Sequence, residues 1–157
     1  MRVPILERLA AGGVLVADGA TGGLIMASLL TVPGALKFFV GGGVVYSFRA
    51  RDVLWAQPRE AYKGIRGPCQ EYAELQARSI RDNLQADWGL AESGSVGGST
   101  HPGGAPSGLS VVAVAGKTLI LLTRATYLAG VLPDSRVLLS CVNIALASYR
   151  PTLGDAS

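Results

Sequence analysis

Apolar residues along the chain fall into two kinds of run, short β-branched ones and longer ones at helical spacing. Val14-Leu15-Val16 is the first short run and predicts a strand buried on both faces. Leu24 to Leu30 is rich in Leu, Ile, Met and Ala and predicts a helix. Before them, Pro4 to Ala11 reads as a short helix ended by Gly12-Gly13. Val32-Pro33-Gly34-Ala35 is a turn. Leu36 to Val40 is a short apolar piece, and Gly41-Gly42-Gly43 leads into a second buried strand, Val44 to Ser47. Three glycines there imply close backbone approach to a neighbouring element or a ligand.

Phe48 to Trp55 reads as a helix and 57–67 as irregular. Pro68 opens a long helix to about Leu84, with Cys69, Ala73, Ala77, Ile80 and Leu84 as its apolar stripe. Trp88 to Ser93 predicts a third strand. Residues 94–108 form a Gly/Ser/Pro-rich loop, either a flexible connection or a lid. Leu109–Ala115 and Leu119–Thr123 read as a hairpin joined through Gly116-Lys117. Asp134 caps a final helix to about Tyr149, and 151–157 is a tail. Strands alternating with helices predict one α/β domain over residues 1–157, with helices on the sheet faces and a sheet made mixed by the hairpin.

Composition narrows the function classes. Of 157 residues, 49% are hydrophobic and 16% charged, so part of an apolar surface is available to a partner. The net charge of +3 is small and the arginines are scattered, which argues against a nucleic-acid footprint. Cys69 and Cys141 have no metal or disulfide spacing, so a reducing, intracellular compartment is expected. His101 is the single histidine and reads as a solvent-exposed loop residue, and no metal or cofactor is expected. No apolar run reaches 18 residues, so no transmembrane segment is expected.

The candidate chemistry centres on Val14 to Gly23, where a strand passes through a tight turn into a helix. Thr21 is placed to cap that helix, and Gly22 and Gly23 expose backbone N–H groups. Such a turn can bind an anion or a carbonyl oxygen. Small residues between a strand and a helix also serve plain packing.

Three motifs then line up in order: A-D-G-A-T-G-G (17–23) followed by L-T-V-P-G-A (30–35); G-G-G-V-V-Y-S (41–47) followed by R-A-R; and L-A-E-S-G-S-V-G-G (90–98) with P-S-G-L-S-V-V-A-V-A (106–115). Together they resemble the CinA C-terminal family of nicotinamide-nucleotide amidases over about residues 5–149. The resemblance implies a three-layer α/β/α sandwich on a mixed, mostly parallel five-stranded sheet, often in dimers or larger assemblies. It implies hydrolysis of the amide of nicotinamide mononucleotide by a Ser nucleophile, an activating Lys and a Tyr.

The resemblance places the nucleophile at Gly19 and the Lys at Arg51. Glycine forms no acyl-enzyme, and arginine stays protonated and is no neutral base. Tyr46 is kept, and Asp18 stands where the family has Glu. Three readings follow. One is a catalytically degenerate CinA-like structural or accessory subunit with protein partners or a homo-oligomer. Another is a sensor holding nicotinamide mononucleotide or another phosphate through Asp18, Thr21, Gly22, Gly23, Tyr46, Arg51, Ser93 and Gly94. The last is an amidase whose nucleophile has moved to Thr21, Ser47 or Ser93, none with an evident base beside it. The mitochondrial matrix is favoured as compartment, with the bacterial cytoplasm as alternative.

Overall fold

The computed structural model describes residues 13–18, 21–55, 57–95, 99–116 and 120–126. The predicted helices at 4–11 and 134–149, the tail, Gly19 and Cys141 lie outside the described residues.

Five strands form one sheet: β1 (Val14–Asp18), β2 (Phe39–Val44), β3 (Trp88–Ser95), β4 (Leu109–Ala115) and β5 (Ile120–Thr126). Their order is β2-β1-β3-β4-β5. β1 runs parallel to β2 and β3, while β4 is antiparallel to β3 and β5. Among the described residues, three α-helices pack with the sheet: α1 (Leu24–Leu30), α2 (Phe48–Leu54) and α3 (Gln70–Asn83). Short 3₁₀ turns occupy Ala35–Lys37 and Arg59–Tyr62.

The alternation of side chains along β3 and β4 assigns the two faces. Ala91, Leu109, Val111, Ala113 and Ala115 form one core cluster with Ala73, Ala77 and Ile80 of α3 and with Val45 and Trp55. Glu92 and Ser110 alternate with these residues and point to the opposite face, where Thr21 meets them just before α1. The crossovers β1-α1-β2 and β2-α2-α3-β3 therefore lie on opposite faces, as right-handed connections running in opposite directions along the sheet require.

α3 presses directly on β3. A Cβ built at Gly89 would stand 1.9 Å from the Ala77 carbonyl oxygen and 2.8 Å from Arg81 Cβ. Only a residue without a side chain lets helix and strand approach this closely.

Several expected boundaries move. The second strand is Phe39–Val44, so the three glycines lie inside it and pair with Leu15, Val16 and Ala17 of β1. The close approach they signalled is to a neighbouring strand. The third strand runs on to Ser95. Ala115 of β4 pairs with Ile120 of β5, which extends to Thr126. Leu84 is exposed rather than part of the stripe, since it follows the last turn of α3. His101 is half-buried rather than exposed: a Cβ on Gly67 would meet its Nδ1 at 2.6 Å, and that nitrogen accepts the Gly103 N–H at 2.9 Å. Trp55 is buried in the core as an apolar anchor, and Trp88 is half-buried against Gly116.

Candidate functional site

The carboxyl ends of β1 and β2 lie side by side, with Asp18 paired to Val44, and Ala17 pairs with Ala91 midway along β3. Each motif singled out in the sequence begins inside its strand, the first at Ala17 of β1, the second at Gly41 of β2 and the third at Leu90 of β3. Between β1 and β3 the strand order reverses, which is where open α/β sheets bind their ligands. Asp18 ends β1, and its side chain is outside the described groups.

Thr21 is not the helix cap. The N-cap of α1 is Gly23, with φ 99° and no side-chain cap bond. The Thr21 hydroxyl instead donates to Glu92 Oε2 at 3.2 Å, and its backbone N–H donates to the same oxygen at 3.1 Å. The Ser110 hydroxyl donates to Glu92 Oε1 at 2.5 Å. Thr21 is 1% exposed and Glu92 0%. A carboxylate with two oxygens accepts several such bonds, and burying it requires them. Gly22 and Gly23 supply the left-handed backbone of the turn, with φ 61° and 99°.

Beyond β2 the chain turns outward. Tyr46 is 92% exposed. The Ser47 hydroxyl accepts the Ala50 N–H at 3.1 Å and caps α2. Ser93 is buried on the face of Ala91, opposite to Glu92, and Gly94 pairs in register with Ser110.

Arg51 sits inside a cage of its own. It is 7% exposed. Its guanidinium carbon lies 3.9 Å from the Tyr62 ring centre and 5.1 Å from that of Phe48. Nη2 pairs with Asp52 Oδ1 at 3.1 Å, and Arg59 Nε holds Oδ2 at 3.0 Å. The hydrogen bond from Arg59, with that from Arg51, holds the Asp52 carboxyl below its ordinary range. The Tyr62 ring meets that of Tyr72 at a tilt of 57°, with 5.5 Å between ring centres, and burial pushes both phenols above their ordinary value. The Arg51 charge is thus neutralised and stacked.

The structure brings Thr21 together with two residues the sequence reading passed over, Glu92 and Ser110. A glutamate inside the apolar run L-A-E-S was the available signal, since an acidic residue is almost never fully buried without a partner. Tyr62 was hidden because the 3₁₀ turn supplies it from a separate stretch, whereas Asp52 is the next residue along the same helix. Among the described residues, no group of three or more His, Cys, Asp or Glu could hold a metal ion. Among them too, no helix is long and apolar enough to cross a membrane.

The family model of the CinA C-terminal domain matches residues 6–153. A CinA-like protein of Prochlorococcus marinus subsp. pastoris is 28% identical over 141 residues, covering 90% of this chain and 33% of that protein. A CinA-like protein of Myxococcus xanthus is 35% identical over 102 residues, 64% of this chain and 23% of that one. The chain thus spans a third or less of the length of these relatives. Among solved structures, the competence damage-inducible protein A of Klebsiella pneumoniae superposes with a TM-score of 0.80 at 20% identity, covering 93% of this chain and 94% of that one. A CinA superfamily protein of Enterobacter cloacae superposes with a TM-score of 0.74 at 24% identity, covering 91% and 84%. With a doubly wound sheet and this match across nearly its whole length, the chain belongs to the CinA C-terminal domain family.

Proposed function

We propose that the chain is a non-catalytic CinA-like domain that serves as a structural or accessory subunit. The observation that carries this reading is the Arg51 cage. Where the resemblance asks for a lysine able to give up its proton, a guanidinium is stacked on Tyr62 and paired with Asp52. Arginine does not deprotonate in proteins, so no base acts from there. Gly19 adds no nucleophile. Losing such a group typically removes several orders of magnitude of rate.

The hydroxyls open to a relocated reaction are otherwise engaged. Thr21 has a carboxylate beside it, yet both groups are sealed from solvent and from any substrate. Ser47 caps a helix, and Ser93 is buried on the α3 face. A sensor that grips a phosphate with Arg51 has to break the cage first.

The accessory role draws support from the surface. Of nine exposed large apolar side chains among the described residues, eight lie between Leu30 and Leu54, on α1, the edge strand β2 and α2 and the turns that join them. Scattered exposed apolar residues are ordinary, but such grouping along one edge fits a protein contact. The relatives named above are bacterial, which fits an intracellular, reducing setting and does not favour the mitochondrial matrix.

The test is ammonia release from nicotinamide mononucleotide by the purified chain and by a Gly19→Ser/Arg51→Lys double variant. The natural chain is expected to stay at background. Turnover well above background, abolished by Thr21→Val, Ser47→Ala or Ser93→Ala, would overturn the reading.

A further inference from the structure

The crevice between β1 and β3 carries an inference of its own. In an open α/β sheet this is where a ligand's acidic group meets the turn that follows the first strand. Here the donor set at that position already holds an acidic group. Glu92, from β3, takes the Thr21 N–H and hydroxyl on one oxygen and the Ser110 hydroxyl on the other. Glu92 and Ser110 are 0% exposed and Thr21 1%, so the carboxylate is enclosed by protein. The cradle is built from three segments far apart in sequence: the β1–α1 turn, β3 and β4. The seven-residue α1 is too short to matter as a dipole, so side-chain and turn donors define the place.

We infer that Glu92 is the specificity-determining residue of this crevice: its carboxylate stands in for a ligand's acidic group, and the crevice therefore refuses phosphate and carboxylate ligands. The physical reason is twofold. The donors an oxyanion needs are already bonded, and the space it would occupy is filled by the Glu92 carboxyl group, which is 0% exposed. Removing the carboxylate while keeping Thr21 and Ser110 leaves a vacated space lined by donors. A small free carboxylate matches that space in size, charge and hydrogen-bonding pattern. This goes beyond the proposed function and is read separately from it, by ligand-dependent stability rather than by ammonia release.

The experiment is chemical rescue. Glu92→Ala is purified and its thermal midpoint followed with sodium formate, sodium acetate, sodium phosphate and, at matched ionic strength, sodium chloride. Formate and acetate are expected to raise the midpoint saturably by several degrees beyond chloride, through binding to the folded state alone. The natural chain is expected to show no such selective rise with any of them or with nicotinamide mononucleotide. Loss of the formate effect in Glu92→Ala/Ser110→Ala would tie it to this cradle. If Glu92→Ala does not fold in buffer, its refolded yield with and without formate is the readout, and formate-dependent recovery is expected. Equal response to formate and chloride would overturn the inference. So would a saturable phosphate or nucleotide shift of the natural chain that Thr21→Val removes. Ammonia release, by contrast, tests only the proposed function.

Discussion

The guanidinium carbon of Arg51 lies 3.9 Å from the centre of the Tyr62 ring. At this separation a desolvated cation–π contact contributes on the order of 2 kcal/mol. Asp52 adds a two-pronged pairing, with Nε at 3.3 Å and Nη2 at 3.1 Å from one oxygen. Both features use the flat fork of arginine, which lysine lacks. Arg51→Lys is therefore expected to lower stability by about 1–2 kcal/mol, read as a drop in the urea midpoint at unchanged slope. It gains no ammonia release alone, because position 19 still lacks a side chain. Unchanged stability would show that the stack does not hold α2 against the Arg59–Tyr62 turn.

Gly89→Ala places a methyl group into the Ala77 carbonyl oxygen, 1.9 Å away, so helix α3 or strand β3 has to move. Overpacking of this kind costs roughly 1–3 kcal/mol or more. The expected result is a lower thermal midpoint or loss of soluble protein. Gly22→Ala meets no atom within 4 Å and is strained only through its φ of 61°, so it should be milder.

Ser110→Ala removes the hydroxyl that donates to the buried Glu92 Oε1 at 2.5 Å. The expected cost is about 1–3 kcal/mol. In a Glu92→Gln background the same change should cost clearly less, since the two residues share one hydrogen bond. Additive effects in this double-mutant cycle would show that the bond carries little of the stability.

The pH dependence follows from shifts of opposite sign. Asp52 is held below its ordinary value, chiefly by Arg59, so it contributes stability above its unfolded pKa, about 3.9. That contribution is lost as pH falls through the lower folded value. Tyr62 and Tyr72 are pushed above 10 by burial, so they contribute stability below about pH 10 that is lost as pH rises through their folded values. Asp52→Asn should flatten the acid limb of a urea-midpoint profile, and Tyr62→Phe with Tyr72→Phe the alkaline limb. Unaltered limbs in these variants would place the titrating groups elsewhere.

The strands around Val14, Trp88 and Leu109 and the helix from Gln70 to Asn83 were legible from local pattern alone, because β-branched runs and a helical stripe report their own burial. β2 was misplaced by several residues. Its glycines look like a loop until β1 is known to lie beside them, and no local property of Gly41 to Gly43 encodes that neighbour. Thr21 shows the same limit at the site. Its type and place fit a helix cap, and only the arrival of Glu92 from 71 residues further along turns its donors to another use.

By itself the sequence determined the alternation of strands and helices, the family, and the absence of a side chain at Gly19 where the resemblance expects a nucleophile. Tertiary structure alone decided what the surviving polar groups do. Arg51 became a stacked, neutralised wedge and Thr21 a ligand of a buried carboxylate. The reason is that helix and strand periodicity is set by each residue's near neighbours, whereas a buried charge needs partners that only folding brings within hydrogen-bonding distance.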